Sequence, residues 1–108
     1  MKQFNTDKNG WYCGFWNNSP LAINFIPRKE LYPHEKLHYH KDFYEYYLVI
    51  DGEMTLIVNQ KEFYLKKHDL LMIEAGEIHR VINLGPGGCN YVNCKNSERC
   101  LHFEPFLG

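Results

Sequence analysis

From position 43 onward the chain alternates short apolar runs with polar breaks, at 43–50, 53–58, 62–66, 70–73, 79–84 and 89–92. Each run is strand-length and rich in aromatic and β-branched residues, and none carries the 3.6-residue period of a helix. Asp51-Gly52 and Asn59-Gln60 fall where hairpin turns belong. Upstream, Leu21-Ala22-Ile23-Asn24-Phe25-Ile26 is a first strand. Pro27 and Pro33 then bracket a polar connection, Arg28 to Tyr32, that is neither a central strand nor a long helix. Gly85-Pro86-Gly87-Gly88 is expected to be a turn; it lacks the lysine and following helix of a phosphate-binding loop. Leu101 to Glu104 would add a last edge strand before Pro105. Six or more short strands at this spacing predict an all-β sandwich or barrel.

Residues 1–20 are polar and turn-rich around Trp11, Tyr12, Phe15 and Trp16. They are expected to form an N-terminal arm or edge strand packed on a barrel spanning 21–104, with exchange of that strand between two copies as the alternative.

Composition narrows the class. At 108 residues the chain is one domain, and 44% hydrophobic with 16% aromatic residues excludes disorder. Twelve basic against thirteen acidic residues give a net charge of −1, no footprint for nucleic acid or an anionic membrane. No apolar run approaches a membrane span, and Met1 to Lys8 has no signal-like apolar core, so a cytoplasmic setting is expected. Cys13, Cys89, Cys94 and Cys100 lack paired metal-knuckle spacing and are expected as free thiols, the alternative being a bridge from Cys100 to Cys89 or Cys94.

Against this pattern four polar residues stand out. Side chains alternate along a strand, so His38 and His40 share a face and can grip one ion. Glu45 opens the run Tyr46-Tyr47-Leu48-Val49-Ile50, where a carboxylate is out of place unless something binds it. His79 is the fourth candidate ligand. Three imidazoles and one carboxylate suit Fe, Mn, Ni, Zn or Cu and leave two positions open on a six-coordinate ion. If strand alternation holds, Tyr47 and Asn83 also face inward, as candidates to orient a ligand or substrate. His34 and His68 are expected on the rim or in solvent, and Glu74 and Glu77 are loop carboxylates near the barrel mouth.

The spacing His38-x-His40-(x)4-Glu45-(x)6-Gly52, followed by Gly76-(x)2-His79-(x)3-Asn83, resembles the two motifs of the cupin family. The resemblance implies a jelly-roll β-barrel with one divalent transition metal ion held by His38, His40, Glu45 and His79. Three positions depart from the pattern: Tyr32 and His68 stand at usual glycines and Glu74 at a usual proline, all in turn settings.

Three function classes follow from that resemblance. The first is a metal-dependent enzyme acting on a small polar molecule, an isomerase or epimerase or else a dioxygenase. The second is a non-catalytic ligand-binding or sensor module, since 38–81 is similar to effector barrels of sugar-responsive transcription regulators. No DNA-binding helices follow before Gly108, so a complete regulator is not expected. A storage-type barrel is the third, disfavoured by the intact ligand set. Gly10 to Trp16, Leu37 to His40, Asn59 and Glu62 look like a set of small cupins linked to sugar-nucleotide metabolism, which points to carbohydrate. A homodimer is expected, because a partner would cover the sheet edges of so short a barrel.

Overall fold

The computed structural model describes residues 1–33, 35–42, 44–96 and, as backbone, 104–105. Its strands are β1 (Trp11–Cys13), β2 (Leu21–Arg28), β3 (His38–Tyr39), β4 (Glu45–Val58), β5 (Lys61–Lys66), β6 (Leu70–Ile73), β7 (His79–Asn96) and β8 (Glu104–Pro105). All pair antiparallel in one sheet, and the only helical element among the described residues is a 3₁₀ turn, Phe15–Asn17. The all-β expectation holds.

Two strands are longer than the sequence pattern suggested. Asp51-Gly52 is no hairpin turn; β4 runs straight through it for 14 residues. The glycine-rich segment likewise lies inside the 18-residue β7. The pair form a long two-stranded ribbon, from Glu45 opposite Lys95 at one end to Val58 opposite His79 at the other. Laid flat, that ribbon would separate its ends by about 40 Å at strand rise. Instead it folds in half.

Irregular pairing makes the fold. Register shifts fall between Val49 and Asp51 and between Gly52 and Met54, so that residues 85–88 stand opposite Glu53 alone. Extra residues on one strand bend the ladder and increase its twist. Gly52 and Gly88 both take positive φ, 82° and 85°, which side chains avoid. A Cβ on Gly52 would collide with the Gly88 carbonyl, and one on Gly88 with the Arg28 carbonyl. Glycine is therefore required at the crease for space as well as for dihedral.

Each half of the ribbon gathers its own strands. The half holding Glu45 to Val49 and Cys89 to Lys95 adds β6 on one side and β2, then β1, on the other. The half holding Met54 to Val58 and His79 to Leu84 adds β5, and β3 with β8. Inward residues from both halves, among them Tyr47, Val49, Leu56, Val58, Val81 and Tyr91, meet in one core. Asn59 and Gln60 do make the β4–β5 turn, both at positive φ as a two-residue hairpin demands.

Residues 11–13 of the arm pair with the chain's own β2. His68 is exposed and sits at φ 75° between β5 and β6, the conformation that explains why glycine suits such a turn. Cys13, Cys89 and Cys94 are free thiols; a bridge from Cys100 falls outside the described residues, as does the placement of His34.

Gly52→Ala is expected to lower unfolding free energy by about 2–4 kcal/mol, the sum of a left-handed backbone penalty and a backbone clash. Urea denaturation read by tryptophan fluorescence checks this; a loss under about 0.5 kcal/mol would show that the crease tolerates a side chain.

Candidate metal centre

Folding the ribbon brings its two ends face to face. Glu45, at the start of β4, and His79, at the start of β7, lie 34 positions apart, yet Oε1 and Nε2 are 2.9 Å from each other. His40 Nε2 approaches the same Oε1 at 3.1 Å. His38, paired with His79 between β3 and β7, places its ring centre 4.3 Å from that imidazole's, the planes tilted by 57°. One donor atom from each of His38, His40, Glu45 and His79 falls within 4.8 Å of all the others, a group that could hold a metal ion.

Backbone carbonyls orient two of the rings. His79 Nδ1 lies 2.9 Å from the Glu77 carbonyl and His38 Nδ1 lies 2.9 Å from the Lys36 carbonyl. A carbonyl only accepts, so each Nδ1 carries a proton and each Nε2 is left to face the cluster. His79 Nε2 then faces a carboxylate oxygen at 2.9 Å. Only a proton or a cation between the two makes the contact attractive. Adjacent donors around an ion with bonds of about 2.1 Å sit about 3 Å apart, which matches both histidine–glutamate contacts. The residues fit a divalent transition metal.

Glu45 is held by its far oxygen. Oε2 accepts from Asn93 Nδ2 at 2.9 Å and meets Lys95 Nζ at 3.4 Å, leaving Oε1 to the histidines. Burial pushes the carboxyl's pKa up, but the contacts of His40 and His79 and the charge of Lys95 more than offset it, holding it well below the usual range. Burial is also the main cause that lowers the His38 pKa, so this ring is neutral near pH 7. Tyr47 places its hydroxyl 3.5 Å from Oε1, and burial raises its pKa well above that of a free phenol, keeping it a proton donor.

Behind the cluster lies a second buried network. Arg28, on β2, is 4% exposed and donates from Nη2 to Glu35 Oε1 at 2.6 Å. Its guanidinium lies 3.8 Å over the Tyr32 ring, and Nη1 reaches the Tyr91 hydroxyl at 3.4 Å. Glu35 Oε2 accepts the Val81 amide at 2.8 Å. Glu35 thus ties the loop before β3 to β7, and the next residue, Lys36, supplies the carbonyl that orients His38. The hairpin tip fixes His79 in the same way: Asn59 Oδ1 accepts the Ile78 amide and Asn59 Nδ2 donates to Glu77.

Of the residues singled out in the sequence, His38, His40, Glu45, His79 and Tyr47 converge. Asn83 does not. It is exposed, because the ladder slips between Val81 opposite Leu56 and Asn83 opposite Thr55, and the extra residue, Ile82, turns the alternation over. Its place beside the carboxylate is taken by Asn93, on the far half of β7. Glu77 spends its carboxylate on Asn59 and the Glu74 amide, and Glu74 is exposed. Asn93, Lys95, Arg28 and Glu35 had no motif to mark them. The alternation Cys89, Tyr91, Asn93, Lys95 would have marked two, had the strand been followed past position 92.

An antiparallel sheet folded on itself around an inward cluster of three imidazoles and a carboxylate defines a double-stranded β-helix with an interior suited to a metal ion. The chain belongs to the cupin family: the family's cupin domain matches residues 29–93, more than half of the sequence. No curated protein matches it. Among solved structures it is similar to a protein from Planctomyces limnophilus, at 18% identity and a TM-score of 0.64 over 96% of this chain and 83% of that one. It is also similar to KdgF from a Halomonas species, at 12% identity and a TM-score of 0.66 over 93% and 89%. A sugar phosphate isomerase of the cupin superfamily from Silicibacter pomeroyi is 23% identical, with a TM-score of 0.60 over 72% of this chain and 51% of that one. At these identities the likeness shows the fold. The chain spans about half of that isomerase's length. No helix among the described residues is long and apolar enough to cross a membrane.

Two outcomes follow from the buried networks. Glu35→Gln is expected to weaken Co²⁺ binding about 10-fold, as loss of a group behind a ligand does, yet to change affinity little when His38 is already Ala. Calorimetric titration of the four proteins checks this, equal losses in both backgrounds contradicting the link. Tyr91 is 3% exposed and burial pushes its pKa up to about 12. A raised folded-state pKa contributes stability that is present below the unfolded value near 10 and lost as pH rises through the folded one. Urea midpoints should therefore fall between pH 10 and 12, and fall less in Tyr91→Phe.

Proposed function

We propose that this cupin binds one divalent transition metal ion through His38, His40, Glu45 and His79 and acts on a small, oxygen-rich, carbohydrate-like molecule as an isomerase or epimerase. The observation that carries the metal reading is the convergence of one donor atom from each of the four residues within 4.8 Å of the others, with His79 Nε2 2.9 Å from Glu45 Oε1. When bound, the ion supplies Lewis acidity toward substrate oxygens at the positions that four protein ligands leave open. The protein's own part is to orient the imidazoles, hold the carboxylate ionised, and exclude water from the buried side of the cluster. Tyr47, a phenol kept protonated beside Glu45, can donate a hydrogen bond to a developing negative charge on a substrate oxygen. Lys95 supplies a fixed positive charge on the other side of the same carboxylate. The carbohydrate assignment is supported by the fold shared with the Silicibacter pomeroyi sugar phosphate isomerase.

Freshly purified protein is expected to contain close to one equivalent of metal by elemental analysis, and His79→Ala less than about a tenth of that. A screen of sugar phosphates and sugar nucleotides should yield a turnover that His79→Ala abolishes. Saturable binding with no turnover, under any metal, with or without oxygen, would instead make the barrel a sensor or binding module.

A further inference from the structure

The two oxygens of Glu45 meet different surroundings. On its own wall of the barrel Glu45 stands between Ile73 of β6 and Lys95 of β7, while Asn93, two positions before Lys95, stands opposite Tyr47. Ile73 is buried and apolar, so its side chain offers no donor. Oε2 turns along the wall toward β7, where Asn93 Nδ2 donates to it at 2.9 Å and Lys95 Nζ lies 3.4 Å away. The Asn93 Nδ2 group has two hydrogens, and it also reaches the Tyr46 carbonyl at 3.3 Å. That amide cannot turn away from Oε2 without giving up both acceptors. Oε1 alone faces the opposite wall, where His79 and His40 approach it.

We infer that Asn93 and Lys95 are positioning residues that keep Glu45 a one-oxygen ligand and so hold a second position on the ion open for substrate. This rests on the metal reading given above and adds to it what the two residues on β7 do. A carboxylate binds a cation through one oxygen or through both. On a six-coordinate ion, four single-atom ligands leave two positions free, whereas a chelating Glu45 would take one of them. Oε2 belongs to a residue only 3% exposed. Stripped of its donors it would be a buried, unpartnered acceptor, and a turn of the carboxylate toward the ion would relieve that cost. Two free positions admit a molecule that chelates through neighbouring oxygens, such as the hydroxyl and carbonyl of a sugar; one admits a single oxygen.

The visible absorption of the Co²⁺-loaded full chain tests this. Azide takes one position on the ion and acetohydroxamate chelates through two; both bind as single anions, so a change of local charge moves the two affinities together. Wild type should bind both probes. Asn93→Leu and Lys95→Met should each weaken acetohydroxamate about 10-fold or more and azide less than about 3-fold, the scale of effect expected of groups that orient a ligand. Lys95→Arg, which keeps a donor and a charge, should behave as wild type. Equal weakening of both probes would make the two residues general structural supports and overturn the inference, as would unchanged chelation in both variants or loss of Co²⁺ from both. Should one variant fail to fold, the other decides. Wild-type protein that holds Co²⁺ and takes azide but not acetohydroxamate refutes this inference alone, whereas wild-type protein that holds no Co²⁺ refutes the metal reading beneath it.

Discussion

A single two-stranded ribbon, folded in half at a glycine crease, determines nearly everything else in this molecule. Because β4 and β7 pair along their whole length, the end that carries Glu45 and the end that carries His79 would lie far apart in a flat sheet. Gly52 and Gly88 let the ribbon turn back on itself, and the two ends become opposite walls of one interior. The remaining strands extend those walls. The hydrophobic core and the polar cluster share the interior between those walls.

That arrangement is costly to leave uncompensated. Glu45 is 3% exposed and His79 fully buried, so neither is solvated by water. A buried carboxylate needs partners on both oxygens. Asn93 and Lys95 serve one; the other faces Nε2 of His40 and of His79. The Lys36 and Glu77 carbonyls orient His38 and His79 with Nε2 inward, which is what a metal site needs. The ion pair of Arg28 and Glu35 extends this order to the loop before β3, the least regular of the segments that bring in a ligand.

Much of this was legible in the sequence, for physical reasons that also mark the limits. Strand-length apolar runs gave the fold class, and polar residues misplaced within them gave His38, His40, Glu45 and His79. Turn chemistry was less transparent. Asp51-Gly52 looks like a hairpin and is a bend within a continuous strand, because a positive-φ glycine serves either purpose. Gly85 to Gly88 looks like a loop and is an insertion in a ladder. Asn83 was assigned inward by strict alternation, which a single extra residue at Ile82 reverses. Asn93 was hidden because the apolar pattern fades before the strand ends. The Arg28–Glu35 pair joins two segments whose proximity no local pattern encodes.

The central claim is that the folded ribbon's two ends are joined by a cation. Thermal denaturation of protein stripped with a chelator, then titrated with Co²⁺ or Mn²⁺, tests it most directly, since a ligand that binds only the folded state stabilises it by linkage. The account predicts a transition temperature that rises by about 10 °C or more near 100 times the dissociation constant. The rise should continue with the logarithm of free metal, as one-site linkage requires, and vanish in Glu45→Ala. A transition unmoved by every divalent metal tried would contradict it.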